Sequence, residues 1–252
     1  MFNQGGDNPA PLKQAQTMRK YKLTDETKQI EVNGETVTLH RIVRIAKEAT
    51  EEAPEELGEK GGWIESESNL SQRGTCFVSD EAAVFGGACV KDNAQVSGDA
   101  MVYGQAVVEE DAKVYGEARV FEGGIVNGEA EVYEEAMIYG GARAGESAKI
   151  CGDSRLGMAC SITGEASIYD THVSGAARVD GKAHVSSSYL MDNARVSGSA
   201  IVTKCHLFDN VHVSGNADMR NSELHNSNGY NSGIWGSGEL MDANNDNAAR
   251  TE

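Results

Sequence analysis

Four histidines, His172, His184, His206 and His212, each stand directly before an aliphatic residue. Two of them are the best candidates for proton chemistry. His172 and His206 flank Tyr189 at equal intervals of seventeen residues. A histidine with an ordinary pKa of ~6.5 can take a proton from a hydroxyl or an amine at neutral pH, so either could serve as a general base. As metal ligands the pair fits poorly. If seventeen residues make one coil, two sheet spacings separate them, about 10 Å, whereas one zinc ion holds its nitrogens at about 2.0–2.1 Å. No metal site is therefore expected, and solvated or interface histidines are the plainer reading. The five cysteines, Cys76, Cys89, Cys151, Cys160 and Cys205, form no CxxC pair and no metal-finger spacing. No glycine-rich phosphate cradle is evident either.

The elements that must position these side chains follow from a period of six. Aliphatic residues recur at Val78, Val84, Val90, Val96 and onward to Ile168, with only Ala144 departing from Val, Ile or Leu. Four residues after each stands a small one, such as Ala82, Ala88, Ala94 and Ala100. Neither a 3.6- nor a 3.5-residue period fits, which excludes helix and coiled coil, and a strict hexad is the sign of a β-helix. The small residue and the next aliphatic are two apart, so both point inward from one short strand. Gly, Asp, Asn and Glu fall at the corners. Three strands then close a triangular coil of eighteen residues. After Ile168 the slots run Val173, Val179, Val185, Leu190, Val196, Val202, Leu207, Val213, Met219 and Leu224. One corner has lost a residue in every coil, and its small positions are Thr171, Ser188, Cys205 and Ser222. The expectation is an all-β, triangular solenoid of about eight parallel coils over residues 72–226.

A solenoid cannot leave its first coil bare, because an open apolar end and unpaired strand edges invite aggregation. Residues 19–71 supply a cap: two alternating segments meet at Asn33-Gly34, a hairpin signal, followed by an acidic loop or short helix over 47–60. Residues 1–18 read as a flexible extension. The stretch 227–252, rich in Asn, Ser and Gly, reads as a tail in which Ile234 and Trp235 could fold back over the last coil.

The stretch GGWIESESNLS (61–71), preceded by YKLTDET…VNGETVTLHRI and followed by V-x-G-x-A repeats, resembles a family of bacterial and prophage hexapeptide-repeat proteins. That family includes the YdcK-type proteins, which carry the label of acyltransferases. The resemblance covers about residues 20–224 and implies a left-handed parallel β-helix. It also implies, as an alternative to a purely structural role, acetyl-CoA- or other acyl-CoA-dependent transfer with His172 or His206 as base. Such enzymes throw a loop from one corner to cover the substrate. Here no step between slots 78 and 224 exceeds six residues, so that loop is missing, and the leading expectation is no catalytic residue and no cofactor.

Sorting the outward positions gives a sharper signal. One face carries Phe85, Tyr103, Phe121 and Tyr139 directly after its slots, with Phe208 further on. Met101, Arg119, Met137, His172, Tyr189 and His206 stand directly before them. Stacked rings alone would stabilise the coils, but Tyr, Met and Arg together have the composition of an interface, and a long apolar strip is unusual on a monomer. The expectation is a homo-oligomer or a protein partner bound at this face.

The net charge of −17 argues against direct nucleic-acid binding, which needs a basic footprint. With no long apolar run, no membrane contact is expected. The thiol pattern fits a cytoplasmic protein, and the family resemblance implies a bacterial host cell. The reading is of a non-catalytic binding or scaffolding protein, one that could inhibit a host protein with its acidic surface; the resemblance implies a bacterial or prophage origin.

Overall fold

Val78 and every aliphatic slot after it as far as Leu207 are sealed from solvent, at 0–1% exposure. They form the axis of a parallel β-solenoid. The computed structural model describes residues 19–32, 34–47, 54–225, 232–235 and 239–241. The expected extension 1–18 lies outside them, as does the expected tail apart from two short strands, and so do the side chains of Ile234 and Trp235. Two-residue strands repeat along the chain and stack into three parallel sheets that make about nine turns. Apart from one 3-10 turn, Glu67–Asn69, no helix occurs among the described residues, and none is long and apolar enough to cross a membrane.

The pairing reports the coil length directly. Lys113 pairs with Glu131 and Arg119 with Met137, eighteen residues on. Arg155 pairs with His172 and Ser161 with Arg178, seventeen on. The stacking continues past Leu224, where Ser232–Trp235 and Glu239–Met241 add parallel strands beside Val211–Ser214 and Asp218–Arg220.

Each corner from Asp80 to Asn221 turns on the second residue after a slot, held at φ between +46 and +73. Glycine adopts this left-handed geometry freely, yet thirteen of these corners carry another residue. The shortened corner has its own chemistry. In a six-residue corner the small residue closes the turn with its amide, as Ala82 donates to the Ser79 carbonyl at 3.2 Å. With one residue removed, the hydroxyl takes over. Thr171 Oγ1 donates to the Tyr169 carbonyl at 2.8 Å and Ser188 Oγ to the Ser186 carbonyl at 2.7 Å. Each small residue's amide turns to the coil before it: Ser188 N–H donates to Thr171 Oγ1 and Cys205 N–H to Ser188 Oγ. The result is a buried hydroxyl ladder that restores the hydrogen bonds the deletion removes.

The cap is a three-stranded antiparallel unit: β1 (Tyr21–Val32), β2 (Glu35–Lys47) and β3 (Glu56–Ile64). Residues Glu56–Lys60, expected as acidic loop or short helix, are the first half of β3. The Ile45↔Leu57 and Val43↔Lys60 pairs with β2 hold them extended. β3 then runs parallel to Ala83–Val84 and becomes the first rung of one solenoid sheet. At Gly61 and Gly62 a Cβ would meet Ile42 at 2.6 Å and the Ala82 carbonyl at 2.6 Å, so the two glycines let β3 press onto the first coil. Buried Asn69 finishes the junction: its amide donates to the Gly86 and Ala88 carbonyls, and its Oδ1 accepts from Ser66 N–H.

Candidate functional site

Phe85, Tyr103, Phe121 and Tyr139 form one continuous stack. Their ring centroids are 5.0, 5.1 and 5.2 Å apart with interplanar angles of 3, 3 and 9°. Each ring is set by the slot before it, and the coil spacing sets the stacking distance. The near-zero angles show that successive coils hold these side chains in the same orientation. The stack stops at Tyr139 because the next position is Gly157, and the Tyr139 ring fills the space this leaves: a Cβ on Gly157 would lie 2.7 Å from it. Met101 and Met137 lie half-buried beside the rings and Arg119 is exposed. Tyr115 and Tyr133 make a second, two-ring stack on another face at 5.0 Å.

The upper end of the ladder is covered by the chain itself. Phe85 is 3% exposed and packs with Leu39, Trp63 and Ala83, and Ile30, Val32, Val37 and Tyr103 close around that cluster. Trp63 is fixed by its Nε1–H donating to Glu81 Oε2 at 2.9 Å and by Arg41 stacked over the ring. The alternation of Ile30, Val32, Val37 and Leu39 in the hairpin is the sequence signal for this covering.

His172, Tyr189, His206 and Phe208 occupy the lower half of the same face. Here the rings no longer stack in parallel. His172 and Tyr189 are tilted at 6.0 Å, and Tyr189 meets His206 edge-on at 4.9 Å. Phe208 stacks instead on His225 at 4.5 Å. Tyr189 is 44% exposed, more open than the Phe and other Tyr rings of this face. The two histidines stand on opposite sides of it. Among the described residues no three His, Cys, Asp or Glu side chains gather as metal ligands would.

Two shallow hollows flank Tyr189. Asp153, Arg155, Asp170 and His172 line the upper one together with Tyr189. Lys204, His206, Asn221, Ser222 and Glu223 line the lower one. The corner residues Asp153, Asp170 and Lys204 were not marked by the sequence reading; Asp170 and Lys204 lie on the shortened corner beside the histidine row, and Asp153 lies on the same corner one coil before it shortens. Arg155 pairs with Asp153 at 3.2 Å and Glu223 with His225 at 2.7 Å, both at the surface. Burial, and after it the Arg155 guanidinium, hold His172 below the ordinary histidine pKa. Its neutral form therefore contributes stability above pH ~6.5 that is lost as pH falls through the lowered folded value. Four thiols are not activated: burial raises Cys89, Cys151 and Cys205, and Cys160 is pushed up to about 12.

The fold and its corners define a parallel β-solenoid repeat protein. A family model described as the YdcK Beta solenoid repeat matches residues 94–110, about one coil of the stack, and the solenoid is consistent with a YdcK-type repeat protein. No curated protein matches the chain.

Proposed function

We propose that this chain is a non-catalytic scaffolding or binding protein that works through protein–protein contacts of its flat aromatic and histidine face, as a homo-oligomer or with a protein partner. A bacterial cytoplasm, a prophage origin and inhibition of a host protein through the acidic surface belong to the same reading. One observation carries it: every step between core slots from Val78 to Leu224 is five or six residues, so the described solenoid offers a flat, ring-bearing face in place of a lidded cleft. A pantetheine arm laid on such a face would remain in water, where its contacts would contribute little.

One observation favours a second reading. His172 lies in the upper hollow beside Arg155 and Asp170, and its lowered pKa keeps it neutral, as a general base for acyl-CoA-dependent transfer must be. Calorimetric titration of the full chain with acetyl-CoA separates the two. The scaffold reading expects no saturable heat. A tight isotherm that disappears in His172→Ala or His206→Ala overturns it in favour of the acyltransferase.

A further inference from the structure

The outward row of the lower face reads Arg155, His172, Tyr189, His206, Glu223, one residue per coil in parallel register. It is a charge palindrome. A cation stands at one end, an anion at the other, a histidine next to each, and the exposed Tyr189 at the centre. The corner row beside it repeats the pattern: Asp170 stands one coil before Ser187 and Lys204 one coil after. The row on the other side of the slots is complementary in size. Ser174 lies one coil before Met191 and Phe208 one coil after, and Gly157 and His225 lie two coils away.

From this arrangement we infer that the lower face is an isologous interface with a second copy of the chain, the two solenoids antiparallel about a two-fold axis through the Tyr189 coil. This deepens the scaffold reading and rests on it. A two-fold axis lying in the interface along the strand direction reverses the solenoid axis and leaves each row opposite itself. Tyr189 then meets the second copy's Tyr189. Arg155 meets Glu223, Asp170 meets Lys204, and His172 meets His206. Phe208 is opposite Ser174 and His225 opposite Gly157, so large side chains face small ones. The hollow holding Asp170 and His172 lies against the one holding Lys204 and His206.

The competing parallel pairing, with the two-fold axis running along the outward row, would set Arg155 on Arg155 and Glu223 on Glu223, and like charges across an interface reject that register. The present partners of Arg155 and Glu223 do not oppose the exchange, and Asp170, whose Oδ1 accepts Asp153 N–H at 2.9 Å, keeps its other carboxylate oxygen for Lys204. The Arg155–Asp153 and Glu223–His225 pairs are exposed and join residues two apart; pairs of this kind contribute little to stability. The row from Arg155 to Glu223 covers four coil spacings, about 19 Å, over which the two faces would lie together.

The test is a charge swap on the full chain, read as mass by sedimentation equilibrium. The wild-type chain is expected at twice its 26.8 kDa. Arg155→Glu and Glu223→Arg, each alone, are expected to weaken the dimer at least tenfold, and the double variant to restore it, because the same two charges face each other with signs exchanged. Asp170→Lys and Lys204→Asp form an independent second pair with the same expectation. A folding defect in one single variant would not be repaired by the other. A monomeric wild type, single variants that keep the dimer, or double variants that fail to regain it overturns the interface. A monomer without an acetyl-CoA isotherm removes this interface and leaves the non-catalytic reading standing; an isotherm from a charge-swappable dimer does the reverse.

Discussion

Met158 occupies the corner position filled by Gly86, Gly104 and Gly140 in coils above it, at φ 58, with 64% of its surface in water. The left-handed geometry disfavours any L side chain by roughly 1–2 kcal/mol. Other non-glycine corners offset part of this. The carboxylates of Asp80, Glu110, Glu134 and Glu146 each accept the backbone N–H of the corner one coil on, at 3.0, 2.6, 2.7 and 2.8 Å. A thioether accepts such a bond only weakly. Glycine relieves the strain but adds roughly 0.5–1 kcal/mol of unfolded-chain freedom. Met158→Gly should therefore stabilise the chain by about 1 kcal/mol, a rise of about 2–4 °C in a thermal melt. A lowered melting temperature would show that Met158 packs in a way its exposure hides. Composition alone assigns these acids to solubility, because their role depends on a backbone angle that no residue count reports.

The hexad is an element-scale signal, and that is why the solenoid is so legible in the chain. Inward positions tolerate only aliphatic and small residues, so the period is written at Val78, Val84, Val90 and every slot that follows. The five-residue corner is equally plain as spacing. Why its small residue changes from Ala to Thr, Ser or Cys is not, since the answer lies in an amide of the neighbouring coil. Thr171→Val keeps the shape of the side chain and removes the hydroxyl that accepts Ser188 N–H. Leaving that buried donor unpaired should destabilise by about 1–3 kcal/mol, whereas Thr171→Ser should stay close to wild type. Urea unfolding of the three chains checks this, and equal midpoints for Val and Ser would remove the ladder's role. GGWIESESNLS has a similar explanation. Its glycines, Trp63 and Asn69 build the junction between cap and first coil, so the part most specific in resemblance is architectural. The covering of Phe85 by the hairpin was harder to see, because alternation shows that β1 and β2 have an apolar side without saying where it docks.

At the scale of the molecule, stacking turns a one-dimensional pattern of charge into columns. Glu81, Asp99, Glu117, Glu135 and Asp153 follow the same corner in successive coils and are all exposed. The amides of Glu81, Asp99 and Glu117 each bond the carbonyl of the next coil at 3.0, 2.8 and 2.8 Å, which fixes the register. Arg41 and Trp63 hold Glu81 at one end, and Arg155 holds Asp153 at the other. Between them Asp99, Glu117 and Glu135 stand roughly 4.8 Å apart along the stack. Like charges directly opposite each other across strands destabilise by a few tenths of a kcal/mol or more. Because the column is at the surface, salt must screen it: the Debye length falls from about 30 Å at 0.01 M to about 3 Å at 1 M, below the spacing of the column. The melting temperature should therefore climb across that range of sodium chloride. Glu117→Gln breaks the column at its middle, so it should melt higher than wild type at low salt and gain less from added salt. Parallel salt dependences for the two chains would mean that the repulsion is spread over the whole net charge of −17, with no particular weight on this column.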